Sequence, residues 1–379
     1  MSIEYRFIEP LDVLFLRGNQ LFGDPGSYGE SIIPPRPSVA AGALRSRMLA
    51  DDRTDLGAFS RNEIDHPTLG TPEHPGSFEL AGFYMARRVE GRTEILMPLP
   101  ADLVVEEEES QGSDNRSRSS LRVGRLSPTA IDLPSSFQLP LLPVLAQDER
   151  GKNKGGWWLT QEGWASYLSG EVPTSGQLVN SSELWVQETR IGIGMRSDKR
   201  AAEKGNLFSS VAVSLKEAVG FLAAVAGAIP PTEGMLRFGG DGRAAGIEKA
   251  NVSLPEPDYE AISRAGCCRL VLTSPGLFCE GWRLPGTGSD NRVSLGNVRG
   301  RMACACVPRF EAISGWDLAK REPKPAQRVV PSGSVYWLDE LEAAPGELRK
   351  LATSGLWDES CKDDARRAEG FNRVAVAAW

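Results

Sequence analysis

The sequence predicts an α+β fold in which strands outnumber helices and long glycine-rich loops join them. Three observations carry that reading. Short runs of alternating apolar residues recur from one end of the chain to the other. Few stretches have both the period and the capping residues of a helix. The 40 glycines among 379 residues exceed the usual share of ~7%, and they cluster between the strand-like runs.

The opening residues IEYRFIEPLDVLFLR alternate well enough for a strand, a turn at Pro10 and a second short strand. A glycine-rich loop over residues 18–29 follows and leads to Pro34-Pro35-Arg36-Pro37. Ser38 is placed to cap a helix running through Ala40, Ala43, Leu44, Arg47 and Met48. Residues 78–89, 93–97 and 102–105 read as strands. Residues 106–120, EEEESQGSDNRSRSS, hold no apolar side chain, so burial cannot offset their ordering entropy and a mobile loop is expected. Residues 151–156 form another flexible connection. A helix over about Gln161–Leu168 comes next, with Trp157, Trp158 and Trp164 around it as a core cluster rather than a ligand box. Strand-like runs return at 184–189, 207–213, 268–273, 302–307 and 335–338. Val219–Ala226 is an alanine-rich apolar run that suits a buried strand or a helix.

Composition narrows the function classes. The longest apolar stretch, residues 218–229, is interrupted by Gly220 and Gly227 and falls short of the ~20 residues of a membrane span. The first ten residues, MSIEYRFIEP, carry charges where a signal peptide needs an apolar run, so a cytoplasmic protein without membrane contact is expected. Six cysteines are too sparse for a disulfide scaffold, and none has the spacing of a zinc knuckle. Cys304 and Cys306 suit alternate positions on one strand face, acting as small hydrophobes, while Cys279 and Cys361 stand alone.

The net charge of −7 argues against a free-standing nucleic-acid binder, yet the cations are unevenly spread. Residues 36–47 hold Arg36, Arg45 and Arg47 and no acid. Residues 190–204 hold Arg190, Arg196, Lys199, Arg200 and Lys204 against Asp198 and Glu203. A third run, residues 292–301, carries three arginines and no acid. Glycine turns accompany cations in two places: Gly192-x-Gly194 within residues 190–204, and Gly239-Gly240-Asp241-Gly242 between Arg237 and Arg243. Glycine lets another backbone approach closely, so turns of this kind suit a phosphate cradle, although turn geometry alone also explains them. Neither matches the dinucleotide fingerprint or the P-loop.

Catalytic sets are missing. Acid–base ribonuclease chemistry needs a group with a pKa near neutrality, usually histidine, and the chain has only His66 and His74 in the loop HPTLGTPEH, which reads as surface. Gly239-Gly240-Asp241 evokes a metal-binding palm turn, but Gly242 stands where a second acid is required. No catalytic residue, metal or cofactor is assigned.

Seven segments, taken in order, carry a resemblance. They are PLDVLFLRGNQLFG, IIPPRPSVAAGALRSRM, ETRIGIGMRSDKRAAEKGNLFSS, RFGGDGRAAG, LTSPGLFCEGW, AISGWDLAKREPKPAQRVVPSGSVYW and EGFNRVAVAAW. Together they resemble the third-subunit family of the Cmr complex, the type III-B CRISPR effector, within the RAMP superfamily. Ser332, where alanine is expected, and Ala377 or Ala378, where glycine is expected before Trp379, depart from the pattern. The resemblance implies two ferredoxin-like (RRM-like) domains with long glycine-rich loops, residues 1–190 with an insertion near 106–120, and residues 191–379. It implies a non-catalytic subunit that helps hold the 5′ repeat-derived tag of the CRISPR RNA. It also implies docking on the large palm-domain subunit and on the first backbone RAMP subunit. Arg190, Arg196, Lys199 and Arg200 lie on the segment that resembles the tag-binding region. Arg36, Arg45, Arg47, Arg237, Gly239, Gly240 and Arg243 complete the candidate RNA-binding set. Arg45 and Arg47 are two apart on a helix and cannot share one face. Two other readings stand beside this one: a RAMP endoribonuclease that processes CRISPR RNA, and a scaffold without RNA contact.

Overall fold

The computed structural model describes residues 2–16, 28–29, 31–110, 118–132, 136–147, 151, 153–195, 198, 201–317, 319–320, 322–359 and 362–379. Two antiparallel sheets organise it. The first has eight strands in the spatial order Leu178–Asn180, Trp157–Leu159, Arg92–Pro98, Glu79–Val89, Val219–Ala226, Glu4–Pro10, Ala244–Lys249, Glu233–Arg237. The second has five: Arg292–Leu295, Val298–Cys306, Val335–Glu342, Cys268–Leu272, Val374–Ala377. The ambiguous run Val219–Ala226 is thus a strand, hydrogen-bonded on both sides and buried over seven of its eight residues. A strand enclosed on both faces needs no polar alternation. Three strands beyond residue 190, covering 219–226, 233–237 and 244–249, complete the first sheet.

The two sheets share a connectivity. In the first, Glu4–Pro10 and Glu79–Val89 both run antiparallel to Val219–Ala226, which lies between them, and Ala244–Lys249 flanks Glu4–Pro10 on its other side. In the second, Cys268–Leu272 and Val298–Cys306 flank Val335–Glu342, and Val374–Ala377 lies outside Cys268–Leu272. With these four strands of each sheet numbered along the chain, both read fourth, first, third, second. The helix Pro37–Asp51 follows the first strand of the first set, and the helix Pro345–Ser354 follows the third strand of the second set. The first of these helices begins one residue before the expected cap Ser38. Pro37 occupies the opening turn and Arg36 is the N-cap without a side-chain bond. Proline fits there because its missing N–H has no helical partner to lose.

Alternation along the strands sorts side chains into three cores. Ile8, Leu80, Phe221 and Val225 face the helix Pro37–Asp51. Leu270, Met302, Tyr336 and Val376 face the helices Tyr259–Ala265 and Pro345–Ser354. Between the sheets lie Phe7, Leu222, Val271, Cys304, Val335 and Trp337, with Trp164, Tyr167 and Leu168 of the helix Gln161–Leu168. Trp158 and Trp164 are core residues, Trp158 meeting Trp185 edge-on at 5.6 Å and Trp164 stacking on Tyr167 at 5.4 Å, whereas Trp157 is half-buried. Cys304 and Cys306 both belong to the middle core, where burial pushes their thiols up to about 12 and about 11. Cys279, unlike the lone cysteine the sequence suggests, is disulfide-bonded.

A buried polar network crosses the middle core. Arg269, 1% exposed on the strand Cys268–Leu272 of the second sheet, lies 2.8 Å from Asp102, which is wholly buried. It also donates to the Ala378 and Tyr167 carbonyls at 2.8 Å each, and its guanidinium sits 4.2 Å from the Tyr167 ring centroid. The Tyr167 hydroxyl donates to the other Asp102 oxygen at 2.8 Å. Burial pushes the Asp102 carboxyl above its ordinary range, against the pull of Arg269 and Tyr167.

The loop expected over residues 106–120 is in large part a hairpin. Leu103–Ser110 pairs with Arg118–Arg125 from Leu103↔Arg125 to Ser110↔Arg118, and residues 111–117 lie outside the described residues. The backbone ladder supplies what the side chains lack. Glu106 is buried and accepts from Gln147 Nε2 at 3.2 Å, and Lys154 pairs with Glu107 at 3.0 Å. Among the described residues no helix is long and apolar enough to cross a membrane.

Two outcomes follow for stability. Asp102→Asn leaves Arg269 buried beside a neutral amide and should lower unfolding free energy by about 3 kcal/mol, as for other broken buried pairs. Combining Asp102→Leu with Arg269→Met should recover part of that loss in denaturant titrations. Replacing residues 106–120 with a short Gly/Ser linker should lower the thermal midpoint rather than leave it unchanged, because Glu106 and the ladder are removed together.

Candidate nucleic-acid interface

Two long paired strands, Trp185–Met195 and Ala202–Leu215, form an antiparallel arm. At its foot Leu14 exchanges backbone bonds with Val213, 2.7 and 2.9 Å long, so the next residue, Phe15, lies beside the arm. Its other neighbour is the turn that joins Glu233–Arg237 to Ala244–Lys249. There Gly240 N–H donates to the Phe15 carbonyl at 2.8 Å. Gly239 has φ +80°, and a Cβ at that position would come 3.2 Å from the same carbonyl. Glycine is required here by conformation and by the close approach together.

Two cations converge on the half-buried Phe15 ring. Arg190, from the arm, has its guanidinium carbon 5.8 Å from the ring centroid, and Arg243, from the turn, 5.2 Å. Each also has a carboxylate nearby: Glu188 lies 3.5 Å from Arg190, and Asp12 pairs with Arg243. Exposed pairs of this kind contribute little, about 0–1 kcal/mol, so an incoming phosphate can displace them. Arg237 is exposed at the base of the same turn and has no ion-pair partner among the described residues. An aromatic ring, two arginines and a glycine turn thus share one surface, a combination suited to stacking a base and holding its phosphate.

The structure therefore brings Arg190, Gly239, Gly240 and Arg243 together and sets Arg237 beside them. Arg36, Arg45 and Arg47 are engaged elsewhere. Arg36 Nη1 lies 2.6 Å from Glu311 Oε2, an ionic contact without hydrogen-bond alignment. Arg45 is half-buried and reaches the Leu69 carbonyl at 3.5 Å, and burial pulls its guanidinium below the ordinary value against the pull of Glu369. Arg47 pairs with Asp51 at 2.7 Å and donates to the Met235 carbonyl. Arg196, Lys199 and Arg200 lie outside the described residues. Sequence reasoning missed Phe15 and Asp12. The alternation of PLDVLFLR marks a strand, but nothing in it distinguishes Phe15 from a core position.

The expected surface histidine His66 is instead buried, 7% exposed, on the wall of a cavity of about 610 Å³ lined also by Ser2, Met48, Asp52, Thr68 and Ile229. Its Nδ1 accepts from the backbone N–H groups of Thr68 at 3.3 Å and Leu69 at 3.2 Å, and Nε2 lies 2.8 Å from Asp52. Two N–H donors on Nδ1 leave the ring proton on Nε2, where Asp52 accepts it, so neither nitrogen is free to act as a base. His74 is exposed. Among the described residues no cluster of His, Cys, Asp and Glu is arranged to hold a metal ion.

Among solved structures, the chain is similar to one in the type III-B Cmr-beta complex bound to cognate target RNA, with 15% identity, TM-score 0.49, and 98% of this chain and 96% of that one covered. A chain of the same complex with cognate target RNA and AMPPnP, state 1, gives 15% identity and TM-score 0.49 over 98% of each chain. A chain of the Cmr-beta apo state gives 14% identity and TM-score 0.27, covering 65% of this chain and 96% of that one. No curated protein matches the chain in sequence. The family model described as CRISPR-associated protein (Cas_Cmr3) matches residues 6–379, a span that holds both long sheets, the arm, the glycine turn and all seven resembling segments. The chain belongs to the Cas_Cmr3 family of CRISPR-associated proteins.

Proposed function

We propose that this chain is a non-catalytic, RNA-binding structural subunit of a type III-B CRISPR effector complex, helping to hold the 5′ repeat-derived tag of the CRISPR RNA. The observation that carries the reading is the convergence of Arg190 and Arg243 on Phe15 beside the glycine turn. Family membership supplies the CRISPR context. The shared strand order, fourth-first-third-second, supports two ferredoxin-like halves, each keeping one of the two crossover helices. We place their boundary between Lys249 and Cys268 rather than at 190/191, because strands up to Lys249 complete the first sheet. The spent ring nitrogens of His66 support the non-catalytic reading over the endoribonuclease.

Neighbouring strand residues point to opposite faces, so Ile191, Ile193 and Met195 lie on the face of the arm away from Arg190. They are 72%, 52% and 55% exposed. That face is the one we assign to protein partners, the large palm-domain subunit and the first backbone RAMP subunit.

Phe15→Ala should weaken binding of tag-containing single-stranded RNA by about 1–3 kcal/mol, the loss of one stacked base. Arg190→Ala and Arg243→Ala should each flatten the log–log salt dependence by about 0.7, one phosphate contact each. The same applies to Arg196, Lys199 and Arg200 changed together, with association to partner subunits retained. Unaltered affinity and slope in all these variants would exclude the cluster as the RNA site. His66→Ala should cost about 1–3 kcal/mol of stability by orphaning buried N–H groups. His74→Ala should cost nothing measurable in the same denaturation assay, and neither variant should change RNA integrity on incubation.

A further inference from the structure

A second hairpin leaves the other half of the molecule. It is built from Glu311–Ile313 paired with Gln327–Val329, and beyond them Trp316–Asp317 paired with Glu322–Pro323. One face is anchored: Ile313 and Val329 pack with Phe371, Leu277 and Trp357, and Glu311 meets Arg36. The opposite face carries Phe310, 52% exposed, with the Arg328 guanidinium 4.7 Å from its ring centroid. Towards the tip, Trp316 is 56% exposed. Arg309, Lys320 and Arg328 are exposed and have no carboxylate partner among the described residues. Asp317 is committed to the backbone N–H groups of Ala319 and Lys320, both at 3.0 Å, and Lys324 to Glu369 at 2.6 Å.

The surroundings of these two exposed rings indicate what they could stack against. Among the described residues the hairpin offers two separated exposed rings, Phe310 at its base and Trp316 towards its tip, both amid cations. A stable protein interface needs roughly 800 Å² on each partner with an apolar centre. Isolated aromatic faces flanked by unpaired Arg and Lys match single-stranded nucleic acid instead, whose bases stack while its phosphates meet the cations. The hairpin also lies near the first cluster. Ile32 N–H donates to the Leu16 carbonyl at 3.0 Å, next to Phe15, and only four residues further Arg36 contacts Glu311 at the hairpin base. Four extended residues span at most ~14 Å.

We infer that this hairpin is a second contact for single-stranded RNA, with Trp316 and Phe310 as base-stacking faces and Arg309, Lys320 and Arg328 as phosphate partners. The inference rests on the RNA-binding reading above and extends the path from the first half of the molecule to the second.

The test uses the full chain and a ladder of tag-containing single-stranded RNAs of increasing length. Trp316→Ala should leave binding of the shortest RNAs unchanged and weaken binding of the longer ones about tenfold, the equivalent of one lost stack. Trp316→Phe should restore most of it. Phe15→Ala should weaken binding at every length, which separates the two sites. Photo-crosslinking of the longer RNAs should mark peptides within residues 309–329. Length-independent wild-type affinity with no crosslink there would overturn the inference while leaving the Phe15 site intact. So would a Trp316→Ala variant that binds every RNA normally but loses a protein partner. A wild-type chain that binds none of the RNAs would overturn both readings.

Discussion

A fully buried ion pair, Arg269 with Asp102, crosses the core between the two halves of the molecule, and the packing around it depends on satisfying that pair. Asp102 follows a strand of the first sheet, and Arg269 sits on the strand Cys268–Leu272 of the second. Tyr167 and Ala378 complete the shell from the helix Gln161–Leu168 and the chain terminus. A charge removed from water at this depth is tolerated only with close partners, so the geometry admits little sliding between sheets. The apolar contacts of Phe7, Leu222, Val335 and Trp337 supply attraction, which is non-directional. The polar network supplies register.

That arrangement bears on the proposed RNA surface. Phe15 stands between the arm and the glycine turn, both attached to the first sheet or to the segment leading from it. The second hairpin belongs to the other half but reaches back through Glu311 to Arg36, at the head of the helix that packs on the first sheet. A path that crosses from one half to the other needs their relative placement held, and the Asp102 network lies in the layer that holds it.

The charge distribution is consistent with this division. A chain of net charge −7 would repel RNA if its charges were evenly spread. Instead Arg190 and Arg243 are drawn to one ring, with Glu188 and Asp12 as weak partners that a phosphate can replace. Other acids are spent internally. Glu79 pairs with Arg373 and Arg367, Glu369 with Arg366 and Lys324, and Asp339 with Arg301. Arg292, in the third basic run, is likewise matched by Glu340 at 2.9 Å and is not a free cation.

What the sequence determined by itself was local. Alternation in residues 78–89, 268–273 and 335–338 marks strands because a half-buried pleat imposes period two. The family motifs, spread across the chain, carry its membership, and the Gly239–Gly240 turn is legible because few other residues tolerate its backbone. Tertiary structure decided the rest. Val219–Ala226 is a strand only because Glu4–Pro10 and Glu79–Val89 are there to enclose it. Residues 106–110 and 118–120 are ordered by pairing with each other, which composition cannot reveal. Of the arginines that look alike in sequence, Arg36, Arg45 and Arg47 are drawn to a carboxylate or carbonyls, while Arg190 and Arg243 meet at Phe15. An arginine's role is set by which acceptor or ring lies within a few ångströms, and those neighbours come from distant positions in the chain, as Glu311 does for Arg36 and Phe15 for Arg243.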